Sequence, residues 1–190
     1  KLYRTRLCRG KYRDAERPVL INNCEATYFD FNEEKILNIA KKAKETGIEL
    51  MVLDDGWFGK RDADNCSLGD WYPDTKKLPN GIKGLAEKVT ALGMKFGLWF
   101  EPEMISPDSD LYRAHPDWCL HVEGRDRTVG RSQLILDLSR DDVCDYIIGF
   151  LSKALEEAPI SYIKWDMNRN MSEIGSAKLP PERQSETAHR

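Results

Sequence analysis

The chain has 190 residues, of which 41% are hydrophobic and 32% charged, a composition typical of a folded globular domain and not of a disordered one. Its net charge of −3 and its scattered Lys and Arg residues provide no basic surface for nucleic acid or a membrane, so small neutral partners are favoured. The N-terminus lacks the apolar core of a signal peptide and the chain has no membrane-length apolar run, so we expect a cytoplasmic protein.

The periodicity of apolar residues predicts strands and helices that alternate along the chain. A short strand at 19–22 precedes a helix through 36–43, which Asn32 can cap and Gly47 can end. The remaining predicted elements are a strand at 50–55, a helix at 82–92, a strand at 95–103, a strand-like run at 133–138, a helix at 141–157 and a strand at 160–166. Strands and helices repeated at this spacing indicate parallel βαβ units and an α/β sheet.

The cysteines and the two ends of the chain add further expectations. The five cysteines are odd in number and include no CxxC pair, so we predict neither a disulfide framework nor a metal site. No cofactor is predicted. The chain starts without methionine and ends in a polar stretch, so we expect residues 1–190 to be one domain within a longer protein.

Polar side chains cluster where the predicted strands end. Successive strand residues face opposite sides, so Lys164 and Asp166 lie on the same face of their strand. Trp99 and Glu101 likewise lie on the same face of the strand at 95–103. Four strands end in carboxylates or amides, which are Asn22, Asn23 and Glu25; Asp54 and Asp55; Glu101 and Glu103; and Asp166 and Asn168. In a (β/α)8 barrel this end of the sheet is the mouth where active sites lie, so we predict a partial barrel of this type.

The chemistry that these residues favour is carbohydrate chemistry. The first strand is not followed by a glycine-rich phosphate loop, no GxSxG motif is present, and no histidine stands at a strand end. Carboxylates can bond sugar hydroxyls, and an indole can lie against the apolar face of a pyranose ring. Glycosidic cleavage also needs two carboxyl groups in different protonation states.

Five segments closely resemble the catalytic domain of the α-galactosidases of glycoside hydrolase family 36. They are NNCEATYFDF, LDDGWFG, WFEPEMISPDSDLY, GRSQLILDLSR and YIKWDMNRN, in that order. The resemblance implies the N-terminal part of a (β/α)8 barrel, action on galactosyl oligosaccharides, and a homo-oligomer, a tetramer, for the full-length protein.

The resemblance also implies roles for individual residues. Asp166 is implied to be the nucleophile that forms a covalent galactosyl intermediate. Asp54 and Asp55 are implied to bind galactose hydroxyls, and Trp99 to stack near the sugar. The remaining contacts to galactose are implied for Arg131, Lys164 and Asn168, and we expect the charge of Lys164 to keep Asp166 ionised.

Two features depart from the family pattern. Cys24 stands where the family usually has tryptophan, so we expect the smaller thiol to alter the edge of the substrate pocket. No residue matches the acid/base aspartate of the family, so we expect that group to lie outside residues 1–190.

From the residues alone, other interpretations remain open. Asp54 and Asp55 could cap a turn, because Asp-Asp-Gly is a turn signal. Trp99 could belong to the core, and Arg131 could form a surface ion pair.

Three further carboxylates are interpreted as structural. Glu101 and Glu103 are expected to support the site, and Asp137 is expected to cap the helix at 141–157. Two functional alternatives also remain, namely a galactosyltransferase of the raffinose synthase type and a carbohydrate-binding fragment without catalysis.

Overall fold

The computed structural model describes residues 2–187, with side chains described as far as residue 184. The strands are β1 (Leu20–Asn22), β2 (Leu50–Leu53), β3 (Lys95–Phe100), β4 (Met104–Ile105), β5 (Leu134–Ile135) and β6 (Ile160–Trp165). The α-helices are α1 (Cys24–Thr27), α2 (Glu33–Glu45), α3 (Gly81–Ala91), α4 (Asp110–Ala114) and α5 (Asp141–Glu157). Shorter helical turns span Tyr3–Leu7, Gly10–Tyr12, Pro116–Trp118 and Pro181–Thr187. Among residues 2–187 no helix is both long and apolar enough to cross a membrane.

The four strands β1, β2, β3 and β6 form one parallel sheet in that order. Leu53 pairs with Leu98, and Trp99 pairs with Lys164. Because all four strands run the same way, their carboxyl ends meet at one edge of the sheet. The predicted α/β class with parallel strands is confirmed, and this is the arrangement expected of a partial (β/α)8 barrel.

The two faces of β3 differ as the alternation predicted. Phe96, Leu98 and Phe100 are fully buried in the main core, together with apolar side chains of α2 and α3. On the other face, a Cβ atom at Gly97 would lie 3.0 Å from Val52 and 3.1 Å from Tyr162. A side chain at this position would therefore crowd the side chains of Val52 and Tyr162 on the neighbouring strands.

The prediction of a strand at 133–138 is wrong in two respects, because the observed strand is shorter and does not join the parallel sheet. The strand itself covers Leu134 and Ile135, which pair antiparallel with β4 outside the parallel sheet, and Gln133 and Leu136 on either side form isolated bridges. The apolar run fills a second core cluster, in which Leu134 and Leu136 pack against residues of α5. A short apolar run suits a buried strand and a buried loop equally well, so periodicity could not separate the two.

The predicted helix boundaries hold, but one predicted cap does not. The side chain of Asn32 accepts a hydrogen bond from Lys35 N at 2.9 Å, so Asn32 caps α2 as expected. At α5 the N-cap position is occupied by Arg140, without a side-chain cap. The carboxylate of Asp137 is buried and instead accepts hydrogen bonds from Ser139 and Ser176, which satisfy it away from the helix end.

Candidate active site

The central feature at the strand ends is an ion pair that joins two strands across a third. Lys164 in β6 places its Nζ 2.7 Å from Oδ2 of Asp54, which directly follows β2. Since β3 lies between these strands, the long lysine side chain spans it. Burial alone would lower the pKa of Lys164, but the hydrogen bond and charge of Asp54 outweigh burial, so its pKa is raised.

Asp54 is almost fully buried and is held from several directions. Its backbone N–H donates to Oδ1 of Asn23 at 2.8 Å, which ties the end of β2 to the end of β1. Its own Oδ1 accepts from the N–H of Asp55 at 3.0 Å. Asp54 therefore makes one local turn bond, but its main partner is Lys164, so turn capping alone does not explain it.

Asp166, which follows β6, lies among three hydrogen-bond donors. Its Oδ2 accepts from Nε1 of Trp99 and from Nδ2 of Asn168, each at 3.0 Å, and its Oδ1 accepts from Met167 N. Burial would raise the pKa of Asp166, but these hydrogen bonds outweigh it, so its pKa lies below the ordinary value of 3.8.

Lys164 acts on Asp166 in the expected direction, but it is not the main support of that carboxylate. The charge of Lys164 does lower the pKa of Asp166, but less than the hydrogen bonds do. The direct partner of Lys164 is Asp54, because the ammonium group reaches over β3.

Trp99 does not offer a face on which a sugar could stack. The side chain is 2% exposed and lies parallel to the ring of Phe58, with ring centroids 6.1 Å apart. Its edge carries the N–H that donates to Asp166. The indole thus belongs to the core, as the alternative interpretation held, while its polar edge orients the carboxylate.

Asp55 is bound by an arginine that the sequence did not single out. Nε and Nη2 of Arg61 reach its two carboxylate oxygens at 3.0 and 2.8 Å. The Arg61 side chain is 2% exposed, whereas that of Asp55 is 20% exposed. A buried arginine six residues after a carboxylate carries no periodic signal, so only the folded loop shows this pair.

A cavity of about 260 Å³ lies beside these groups, close to the lower end of the volumes of ligand pockets. Four predicted site residues line it, which are Cys24, Asp55, Arg131 and Asn168. The cavity is also lined by Tyr28, Phe29, Arg61, Asp64, Glu101 and Gln133. Asp166 is joined to it through its hydrogen bond with Asn168.

Arg131 reaches the cavity from a tight turn. Arg131 and Ser132 have φ angles of 50° and 60°, and Gly130 and Gln133 exchange both backbone hydrogen bonds around them. A non-glycine residue in this conformation stores about 1–3 kcal/mol, a strain that clusters at functional sites. Among residues 2–184, whose side chains are described, the exposed Arg131 side chain has no hydrogen-bond or ion-pair partner, so an ion pair with one of these residues does not account for it.

Glu101 supports the backbone next to Asp166. It is 1% exposed and accepts hydrogen bonds from Asn168 N at 2.6 Å and from Gln133 Nε2 at 3.2 Å. Burial raises its pKa. The structural interpretation of Glu101 is therefore confirmed, and Gln133 is a contributor that the sequence did not single out.

Cys24 begins α1 at the cavity edge. Burial raises the pKa of its thiol most, and the negative charge of Asp54 raises it further, so the thiol is neutral at pH 7.

Within the described part of the chain, no group of three or more His, Cys, Asp or Glu side chains could hold a metal ion.

Comparison with known proteins gives a consistent result. The profile of the family described as Melibiase matches residues 1–190. The alpha-galactosidase AgaA of Geobacillus stearothermophilus is 70% identical over 190 residues, which make up 100% of this chain and 26% of AgaA. Alpha-galactosidase Mel36A of Lactobacillus acidophilus is 53% identical over 189 residues, again 100% of this chain and 26% of the relative.

Solved structures agree with these relatives. The crystal structure of AgaA, a GH36 alpha-galactosidase, matches with a TM-score of 0.95 and covers 99% of this chain and 26% of that chain. A variant of AgaA that is 69% identical to this chain, with a TM-score of 0.95 and the same coverage, was solved in complex with raffinose. The chain therefore spans about a quarter of the length of these relatives.

Proposed function

The chain belongs to the melibiase family, and from this we propose that the complete protein is a retaining α-galactosidase. It would hydrolyse terminal α-linked galactose in oligosaccharides of the melibiose and raffinose type. The raffinose complex of AgaA supports this class of substrate. A cytoplasmic location and assembly into a tetramer stay predictions.

The observation that carries this proposal is the environment of Asp166. Its carboxylate stands at the end of a barrel-type strand, and three donors at 3.0 Å favour its ionised form. An ionised carboxylate at this position can attack the anomeric carbon of the sugar. The bond from that carbon to the leaving oxygen then breaks, and a galactosyl ester of Asp166 forms, which water hydrolyses in a second step.

The charges around Asp166 suit a neutral, hydroxyl-rich substrate. The Lys164–Asp54 pair and the partly exposed Asp55 provide both donors and acceptors for sugar hydroxyls. Arg131 and Asn168 add donors at the cavity. We assign these groups to galactose binding, with Cys24 at the pocket edge.

The second carboxyl group is proposed to lie outside residues 1–190. Retaining cleavage needs an acid about 5–5.5 Å from the nucleophile to protonate the leaving oxygen. Glu101 is the buried carboxyl nearest in the hydrogen-bond network, but both of its oxygens are already occupied by Asn168 and Gln133. It is therefore poorly placed to act as that acid.

The test is to follow the products of the complete protein by proton NMR with melibiose and raffinose as substrates. We expect galactose to be released first as the α anomer. Initial release of the β anomer would contradict retention, and no release at all would contradict the glycosidase assignment. If, with melibiose as donor and added sucrose as acceptor, raffinose formed in preference to free galactose, the protein would be a galactosyltransferase of the raffinose synthase type.

A further inference from the structure

We propose that Arg61 is a positioning residue for galactose binding and that it acts through Asp55. This inference rests on the proposed function, because it assigns Asp55 to the sugar hydroxyls. The geometry of three groups supports it, namely the guanidinium, the carboxylate and the loop between them.

The guanidinium of Arg61 is fully engaged inside the protein. Its Nε and Nη2 hold Asp55 side-on, and its Nη1 donates to the backbone carbonyls of Asp64 and Cys66 at 2.9 and 2.8 Å. The group also lies over the rings of Phe29 and Phe58, at 5.6 and 5.9 Å from their centroids. Arg61 borders the cavity, but its side chain is 2% exposed and its Nε, Nη1 and Nη2 are all engaged within the protein, so it acts on a ligand mainly through the groups that it holds.

Of the groups that Arg61 holds, Asp55 is bound through its carboxylate, whereas Asp64 and Cys66 are bound through their backbone carbonyls. The carboxylate of Asp55 is 20% exposed and lines the cavity. Two parallel N–H···O bonds fix the plane of a carboxylate, which a single ammonium group cannot do. The pair thus sets the direction in which the free lone pairs of Asp55 point.

The backbone on both sides of this pair is also fixed. Nζ of Lys77 donates to the carbonyl oxygens of Gly56 and Arg61, at 2.9 and 2.8 Å. Gly56 has φ of 100°, and a Cβ atom there would lie 3.0 Å from Phe29. Lys77 therefore fixes the backbone at Gly56 and Arg61, whereas the stretch 64–66 is held by Arg61 itself. Because Arg61→Lys keeps a donor in this place, we expect it to alter the orientation of Asp55 more than the path of the loop.

The experiment measures galactose affinity and the kinetics of p-nitrophenyl α-galactoside hydrolysis in the complete protein. Arg61→Lys keeps the positive charge but loses the two parallel N–H···O bonds to Asp55. We therefore expect galactose to bind about 10- to 100-fold more weakly, with KM raised by a similar factor and kcat changed much less. In Arg61→Ala, added ethylguanidinium should restore part of the lost affinity. Arg113→Lys is the matched control, because Arg113 is exposed and pairs with Asp108 and Asp110 on the surface.

A double-variant comparison separates positioning from general stability. Adding Arg61→Lys to Asp55→Asn should weaken galactose binding by no more than about twofold beyond Asp55→Asn alone, because both changes remove the same interaction. Additive effects, an unchanged affinity in Arg61→Lys, or failure of both Arg61 variants to fold would overturn the inference. If the unaltered protein neither binds galactose nor cleaves the substrate, the proposed function fails and this inference fails with it.

Discussion

Replacing Asp166 by asparagine keeps the shape of the side chain and removes the charge that would attack the sugar. The native Oδ2 accepts from Trp99 and Asn168, and Oδ1 accepts from Met167 N. An asparagine can turn its carbonyl toward the two side-chain donors, so only the bond to Met167 is lost. Loss of one hydrogen bond to a charged group costs about 1.5–3 kcal/mol, which limits the local disturbance.

The effect on turnover should be much larger than that disturbance. Removal of a nucleophile lowers kcat on the order of 10⁴-fold or more. At about 1.36 kcal/mol per tenfold change in rate, this exceeds 5 kcal/mol. We therefore expect the Asp166→Asn variant to lose nearly all turnover while galactose affinity stays within about tenfold.

The measurement pairs steady-state kinetics on p-nitrophenyl α-galactoside with calorimetric titration of galactose, using the complete protein. Asp145→Asn is a matched control, because this carboxylate is exposed on α5. A cyclitol inhibitor that traps the nucleophile should also label the peptide that contains Asp166. A variant that keeps about a tenth or more of the native kcat, or a label on a different peptide, would refute the assignment.

Three further outcomes are expected. Asn168→Ala removes a donor that lowers the pKa of Asp166, so this pKa should rise in the variant. Activity needs the ionised carboxylate and is lost as pH falls through its pKa, so the acid limb of the kcat/KM profile should move to higher pH. An acid limb that does not move would show that another group sets it. Iodoacetamide should label Cys24 more slowly at pH 8 than it labels free cysteine, because burial raises the thiol pKa above 9.0; equal rates by mass spectrometry would contradict this. Residues 1–190 expressed alone should not hydrolyse melibiose, because the general acid is proposed to lie outside them, and robust turnover would place that acid within this piece. They should also self-associate on size-exclusion chromatography, because β6 is an outer strand whose Trp165 is 51% exposed.

Much of the fold follows from local patterns in the sequence. The apolar patterns of β1, α2, β2, α3, β3, α5 and β6 distinguish helix from strand, whereas the one-turn helix α1 was not predicted. The carboxylates at 54, 55 and 166 were recognisable because charged residues directly after a buried strand are tolerated only where the strand end opens into a site. Motif resemblance then assigned the family, which the comparisons confirm.

What the sequence alone determined was therefore which strands form and which polar groups stand at their ends. The tertiary structure decided which of these groups touch. Lys164 pairs directly with Asp54, because a lysine is long enough to cross β3, while Asp166 at the end of its own strand is bound by Trp99 and Asn168. Trp99 turns its edge to Asp166 because its faces are packed in the core, and Arg61 reaches Asp55 because a loop folds back over Phe29. Such contacts depend on side-chain reach and packing between distant segments, which periodicity along a single chain does not encode.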